Sequence, residues 1–158
     1  REKKTRFGIN AFIAYAMDED SSHDTGLPMP FQCEWKVPGK VLYGHVGPGL
    51  TIDEIGALTQ STNDMIVRDG LPPIYLIVDT SLLQHTPRPL SQLRRVVGEA
   101  QSMHVGCYIV IVKNPIYAFM SVALVKLMRR PVRIVATYDE ALIALSALDS
   151  ELAASVNS

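Results

Sequence analysis

Cysteine is scarce in this chain: Cys33 and Cys107 are the only two among 158 residues. Both sit in or beside apolar segments, with no C-x-x-C spacing and no Cys/His cluster. That pattern argues against a disulfide framework and against zinc, and it suits packed thiols in a reducing compartment. The expected location is the cytoplasm. Net charge is also small, −1, so no general attraction to nucleic acid or to an anionic membrane is expected. No run reaches the roughly 18 apolar residues that a membrane span needs. The glycine turn Gly47-Pro48-Gly49 lacks both a Walker Lys-Ser/Thr and a third glycine, so it reads as a plain turn and not as a phosphate loop. No G-x-S-x-G elbow is present either. His23, His45, His85 and His104 show no metal-ligand spacing, and neither metal nor cofactor is expected.

What is present is a globular composition, 47% hydrophobic, long enough for one domain with a substantial core. The chain divides into an N-terminal extension and linker over 1–30, a domain over 31–150 and a tail over 151–158. Arg1 to Arg6 is mostly basic, Phe7 to Met17 is mostly apolar, and Asp18 to Asp24 reads as a solvated linker. The basic-then-apolar order is signal-like, but no clear small-residue cleavage site follows. The expected structure for 7–17 is a helix packed on the domain or at a dimer face.

Strong punctuation follows. Phe31 to Lys36 and Lys40 to Val46 are strand candidates joined by Val37-Pro38-Gly39, a hairpin signal that makes them antiparallel. Thr51 and Glu54 form a capping box at the head of a helix. Its apolar stripe is Ile52, Ile55, Leu58, Thr62, Met65 and Ile66, and Gly70 with Pro72-Pro73 stops it. Ile74 to Val78 is an unbroken apolar run, as expected of a strand covered on both faces. The unit then repeats. Pro89 opens a helix to about Met103, Gly106 precedes the strand Cys107 to Val112, and Asn114-Pro115 opens a helix through about Met128. Val132 to Ala136 is a further strand. Thr137 and Glu140 form a second capping box, opening a helix with Leu142, Leu145, Leu148 and Leu152. Residues 153–158 read as a frayed tail. The order implies an α/β fold, with a mostly parallel sheet of about five strands, an antiparallel first strand, and four main helices besides the N-terminal one.

Function should lie where the central strand ends, since open α/β sheets bind ligands and partners at the carboxyl ends of their strands. Asp79, Ser81 and His85 invite a hydrolase reading. Asp79 and Ser81, two apart on a strand, point to one side instead of facing each other across a pocket, so the simpler reading has them holding the loop backbone. Asp79 and Lys113 superficially fit a phosphoryl-accepting receiver, but the acidic pair that would bind magnesium is missing. Arg94-Arg95 and Arg129-Arg130 with Arg133 read as solvated helix faces or ends. The helix from Ile116 to Met128 is apolar nearly all round, so Ile116, Tyr117, Met120 and Leu124 are expected to form a dimer face or a hydrophobic ligand pocket.

The segments Lys40 to Thr51, Leu76-Ile77-Val78-Asp79-Thr80-Ser81 and Val132 to Leu145, the last with Tyr138-Asp139-Glu140-Ala141-Leu142, together resemble the STAS domain. That is the fold of anti-sigma-factor antagonists and of the cytoplasmic tails of sulfate transporters. The resemblance covers about Phe31 to Leu148 and rests mostly on the order of elements. In the antagonists an Asp-Ser-Ser-Gly turn carries the phosphorylated serine. That place falls here at Pro87-Arg88-Pro89-Leu90, and the serine and glycine are gone. Ser81, Thr86 and Ser91 are nearby hydroxyls, but none matches the motif. The resemblance still implies a non-enzymatic regulatory interaction module, a homodimer with a regulator or kinase-like protein partner. Its working surface is expected at Ser81, Gln84, His85, Thr86, Arg88, Ser91 and Arg95, with Arg88 as the main contact. The alternative is a sensor for a small hydrophobic or nucleotide ligand.

Overall fold

The computed structural model describes residues 31–85, 91–92, 95, 104–118 and 130–156. Five strands are present among them: β1 Phe31–Val37, β2 Val41–Val46, β3 Ile74–Asp79, β4 Val105–Ile111 and β5 Val132–Val135. Three helices accompany them: α1 Ile52–Asp69, α2 Tyr138–Leu148 and α3 Ser150–Val156. The strands lie in sequential order, β1-β2-β3-β4-β5. β1 runs antiparallel to β2, and every later neighbour pair is parallel. This is the expected α/β architecture. The expected helices over 89–103 and 115–128 fall largely outside the described residues. Ser91, Gln92, Arg95 and 115–118 are helical.

Strand alternation sorts the apolar side chains onto two faces. One face carries Val41, Tyr75, Ile77, Cys107, Ile109 and Ile111, and α2 covers it with Ala141 and Leu145. The other carries Leu42, Ile74, Leu76, Val105 and Tyr108, against Ile66 of α1. Both sides of β3 are therefore buried, as its unbroken apolar run requires. Leu42, Ile74, Ile77, Ile109 and Leu145 are wholly removed from solvent. At about 25 cal/mol per Å2 of buried apolar surface, such residues dominate the stabilisation.

Local signals set the element ends. Thr51 Oγ1 accepts the Glu54 N–H at 3.2 Å, and a Glu54 carboxylate oxygen accepts the Thr51 N–H at 2.7 Å, closing the expected capping box. The second box is displaced by one residue. Thr137 Oγ1 accepts the Glu140 N–H, but the Glu140 carboxylate accepts from Ala136 instead of Thr137. Gly39 has φ +71°, in the Val37–Lys40 turn closed by the Lys40 N–H on the Val37 carbonyl. A Cβ there would lie 2.9 Å from the Asp69 carbonyl oxygen, so the hairpin requires glycine.

Two expectations need correction. β4 starts at Val105, so Gly106 lies inside the strand. The partner of β3 moves from Val105 opposite Ile74 to Cys107 opposite Tyr75, which makes Gly106 the extra residue of a bulge. A Cβ on Gly106 would sit 3.1 Å from Pro73 Cβ, so the glycine answers a close approach and not a strand start. The segment read as a tail is helical through Val156, and Leu152 and Val156 pack on the α2-covered core. Asp149 separates α3 from α2, and its carboxylate accepts the Leu152 N–H at 3.2 Å.

Candidate functional site at the carboxyl ends of the central strands

Parallel register aligns β2 and β3 so that Tyr43 faces Ile77 and His45 faces Asp79. Tyr43, His45 and Asp79 thus share the α2-covered face, at its polar end. Tyr43 donates its hydroxyl to Asp79 Oδ2 at 2.8 Å. His45 Nδ1 stands 3.6 Å from the same oxygen. The other carboxylate oxygen, Oδ1, accepts the Ser81 backbone N–H at 2.8 Å, so Asp79 turns the chain into the loop.

Burial by itself would push the Asp79 carboxyl up. The Ser81 side chain and backbone, the Tyr43 hydroxyl and the charge of a protonated His45 outweigh it and hold the group below the usual carboxylate range. Tyr43 moves the opposite way. Burial, then its hydrogen bond to Asp79 and the neighbouring negative charges, push its phenol well above the ordinary value. Asp79 is therefore an ionised acceptor with its oxygens engaged. A general base would need a carboxylate poised near neutral pH, and this one is shifted away from it.

The loop beyond is tied down at its backbone. Thr80 donates both its N–H, at 3.0 Å, and its hydroxyl, at 2.7 Å, to the Ile111 carbonyl of β4. Leu83 N–H closes a turn on the Thr80 carbonyl, and Gln84 N–H reaches the Pro48 carbonyl at 2.9 Å. The Tyr117 hydroxyl donates to the Gln84 carbonyl. Tyr117 is itself placed by Asn114, whose Oδ1 accepts the Ile116 N–H at 2.9 Å in the expected N-cap role. Against this fixed backbone, Leu82 is 50% exposed and Ile116 68% exposed.

The structure joins two surfaces that the sequence keeps apart. Gln84, expected at a partner surface, bonds directly to Tyr117, expected at a dimer or ligand face. Gln84 and His85 are exposed and Ser81 is half-buried; Ser91 and Arg95 are exposed on helical residues. Ile116 is exposed and Tyr117 half-buried. Thr86, Arg88, Met120 and Leu124 lie outside the described residues.

Asp79 holds the Ser81 backbone as the simpler reading of the strand end expects, and the imidazole beside it belongs to His45. Tyr43 and His45 were missed as site residues. Their i, i+2 spacing on a strand was visible, but only the β2–β3 register brings them to Asp79. Among the described residues, no group of three or more His, Cys, Asp and Glu side chains is placed to hold a metal ion. Among them also, no helix is long and apolar enough to cross a membrane. No family model matches the chain, and the searches of curated proteins and of solved structures found no match.

Proposed function

We propose that this chain is a non-enzymatic regulatory interaction module of the STAS type. It presents the 80–85 loop and the adjoining helical turn at 115–118 to a regulator or kinase-like protein partner, and it works as a homodimer. One observation carries the reading: Leu82 and Ile116 are large apolar side chains held in water on a backbone anchored at several points. Exposed apolar groups on a preorganised loop favour association, because little conformational entropy remains to be lost on docking. The engaged, acidified Asp79 supports the same reading over hydrolysis.

A second reading, a small-molecule sensor, is supported by an open groove of about 350 Å3 along β1, lined by Phe31, Gln32, Glu34, Tyr43, His45 and Met65 among others. The groove lies along β1, at one edge of the sheet, whereas the pocket expected beside residues 116–128 falls largely outside the described residues. Native mass spectrometry of protein purified without denaturation separates the two, since a copurified small molecule would favour the sensor.

The interaction reading is tested with Leu82→Asp and Ile116→Asp. Once a partner has been captured by crosslinking and identified, each variant should weaken its affinity at least about 30-fold, the range of interface hot spots, with an unchanged melting temperature. Unchanged affinity in both would remove this surface from consideration.

A further inference from the structure

Asp79 joins two things that need not be connected: the ionisable ring of His45 on β2 and the backbone of the 80–85 loop. Its Oδ2 lies 3.6 Å from His45 Nδ1, just beyond hydrogen-bond reach, while its Oδ1 holds the Ser81 N–H. The His45 side chain is 31% exposed and that of Asp79 only 13%, so a proton can reach the ring while the carboxylate stays largely shielded from water. A protonated imidazole beside a shielded carboxylate forms a short charge-assisted bond of about 2.7–2.9 Å. When the carboxylate moves to close that gap, Oδ1 moves with it, and the Ser81 N–H is bound to Oδ1.

The other groups around His45 do not compete for this role. Across the hairpin, Gln32 is its neutral register partner. Glu34 lines the same groove, but it is ion-paired with Lys36, whose ammonium also sits over the Tyr43 ring at 5.3 Å. Tyr43 already donates to Asp79. Tyr138 of α2 meets the Tyr43 ring edge-on, 5.7 Å between centroids. From α1, only the uncharged Ser61 and Met65 reach the groove. Among the described residues Asp79 is the carboxylate that faces Nδ1.

We propose that His45 is a proton-sensitive switch: its protonation pulls the Asp79 carboxylate toward β2 and, through the Ser81 N–H, resets the 80–85 loop. Imidazole is the side-chain group suited to such a role, since it can change charge without a large change in its surroundings. The switch stands whether or not the loop docks a protein, and its test needs no partner. If it holds, any occupant of the loop would bind in a pH-dependent way.

The experiment is an NMR titration of the whole chain from about pH 8 to pH 5, carried out in a His85→Gln background to remove the ring within the loop itself. The backbone amides of Ser81 and Leu82 should shift with the same midpoint as the His45 ring resonances. In His45→Gln, and separately in Asp79→Asn, that loop titration should be lost, while in Asp79→Asn the His45 ring still titrates. Loop amides that stay flat while the unaltered His45 ring titrates would overturn the proposal, and that result needs no further variant. Loop shifts that persist in His45→Gln would overturn it equally.

Discussion

The two ends of this sheet are built on different principles. At the end where β2, β3 and β4 begin, contacts are steric and close. Gly39 has no room for a Cβ beside Asp69 and Leu71, Leu71 N–H bonds the Gly39 carbonyl, and Gly106 lies against Pro73. Where the same strands finish, a polar network of Tyr43, His45 and Asp79 leads into a loop that displays Leu82 and is joined through Tyr117 to the helical turn carrying Ile116. A packed contact has one arrangement, and departures from it are costly. A hydrogen-bonded carboxylate can rotate among partners, and it responds to proton concentration. One end is thus held by close steric contacts and the other by a hydrogen-bonded polar network.

Substitutions can break that contrast, and the largest effect belongs at the steric end. Gly39→Ala should cost at least about 1–2 kcal/mol for the left-handed backbone alone, with more for the Cβ pressed on Asp69, read by denaturant unfolding. The 80–85 loop spectrum should not change. At the polar end, Tyr43→Phe removes one hydrogen bond to an ionised carboxylate and should cost about 1.5–3 kcal/mol. Here the loop amides should shift. A cost at the polar end exceeding that of Gly39→Ala would reverse the comparison.

The smallest effect sharpens it through pH. Because the folded Asp79 carboxyl is held below its ordinary value, it contributes stability that is fully present above the unfolded-chain value of about 4. That contribution is lost as pH falls through the lower folded value. Asp79→Asn should therefore flatten the loss of stability on acidification below about pH 4. An acid limb as steep as that of the unaltered protein would show that other carboxylates carry it.

Much of the frame was legible in the chain. Thr51-x-x-Glu54, Pro38-Gly39 and the apolar run at 74–78 are local signals, each acting within a few residues, and each produces the expected element. The half-formed box at Thr137 shows the limit, since Glu140 can reach either of two neighbouring N–H groups and sequence does not choose between them. Gly106 looks like punctuation in the sequence because its reason, the close approach of Pro73 just before β3, is not local to it. The site was harder for the same cause. Asp79 and Ser81 form a local turn and could be read as such, whereas Tyr43 and His45 join Asp79 only through pairing across 36 and 34 residues. Likewise, Gln84 meets Tyr117 only once β3 and β4 are neighbours.

The central claim is that the 80–85 loop is a preorganised surface. Amide hydrogen exchange resolved by residue tests it most directly. The amides of Thr80, Leu83 and Gln84, each bonded to a backbone carbonyl, should exchange well below the rate of an unstructured peptide under native conditions. Exchange of all three at the free-peptide rate would contradict the claim, because a loop that opens that readily holds no surface ready for a partner.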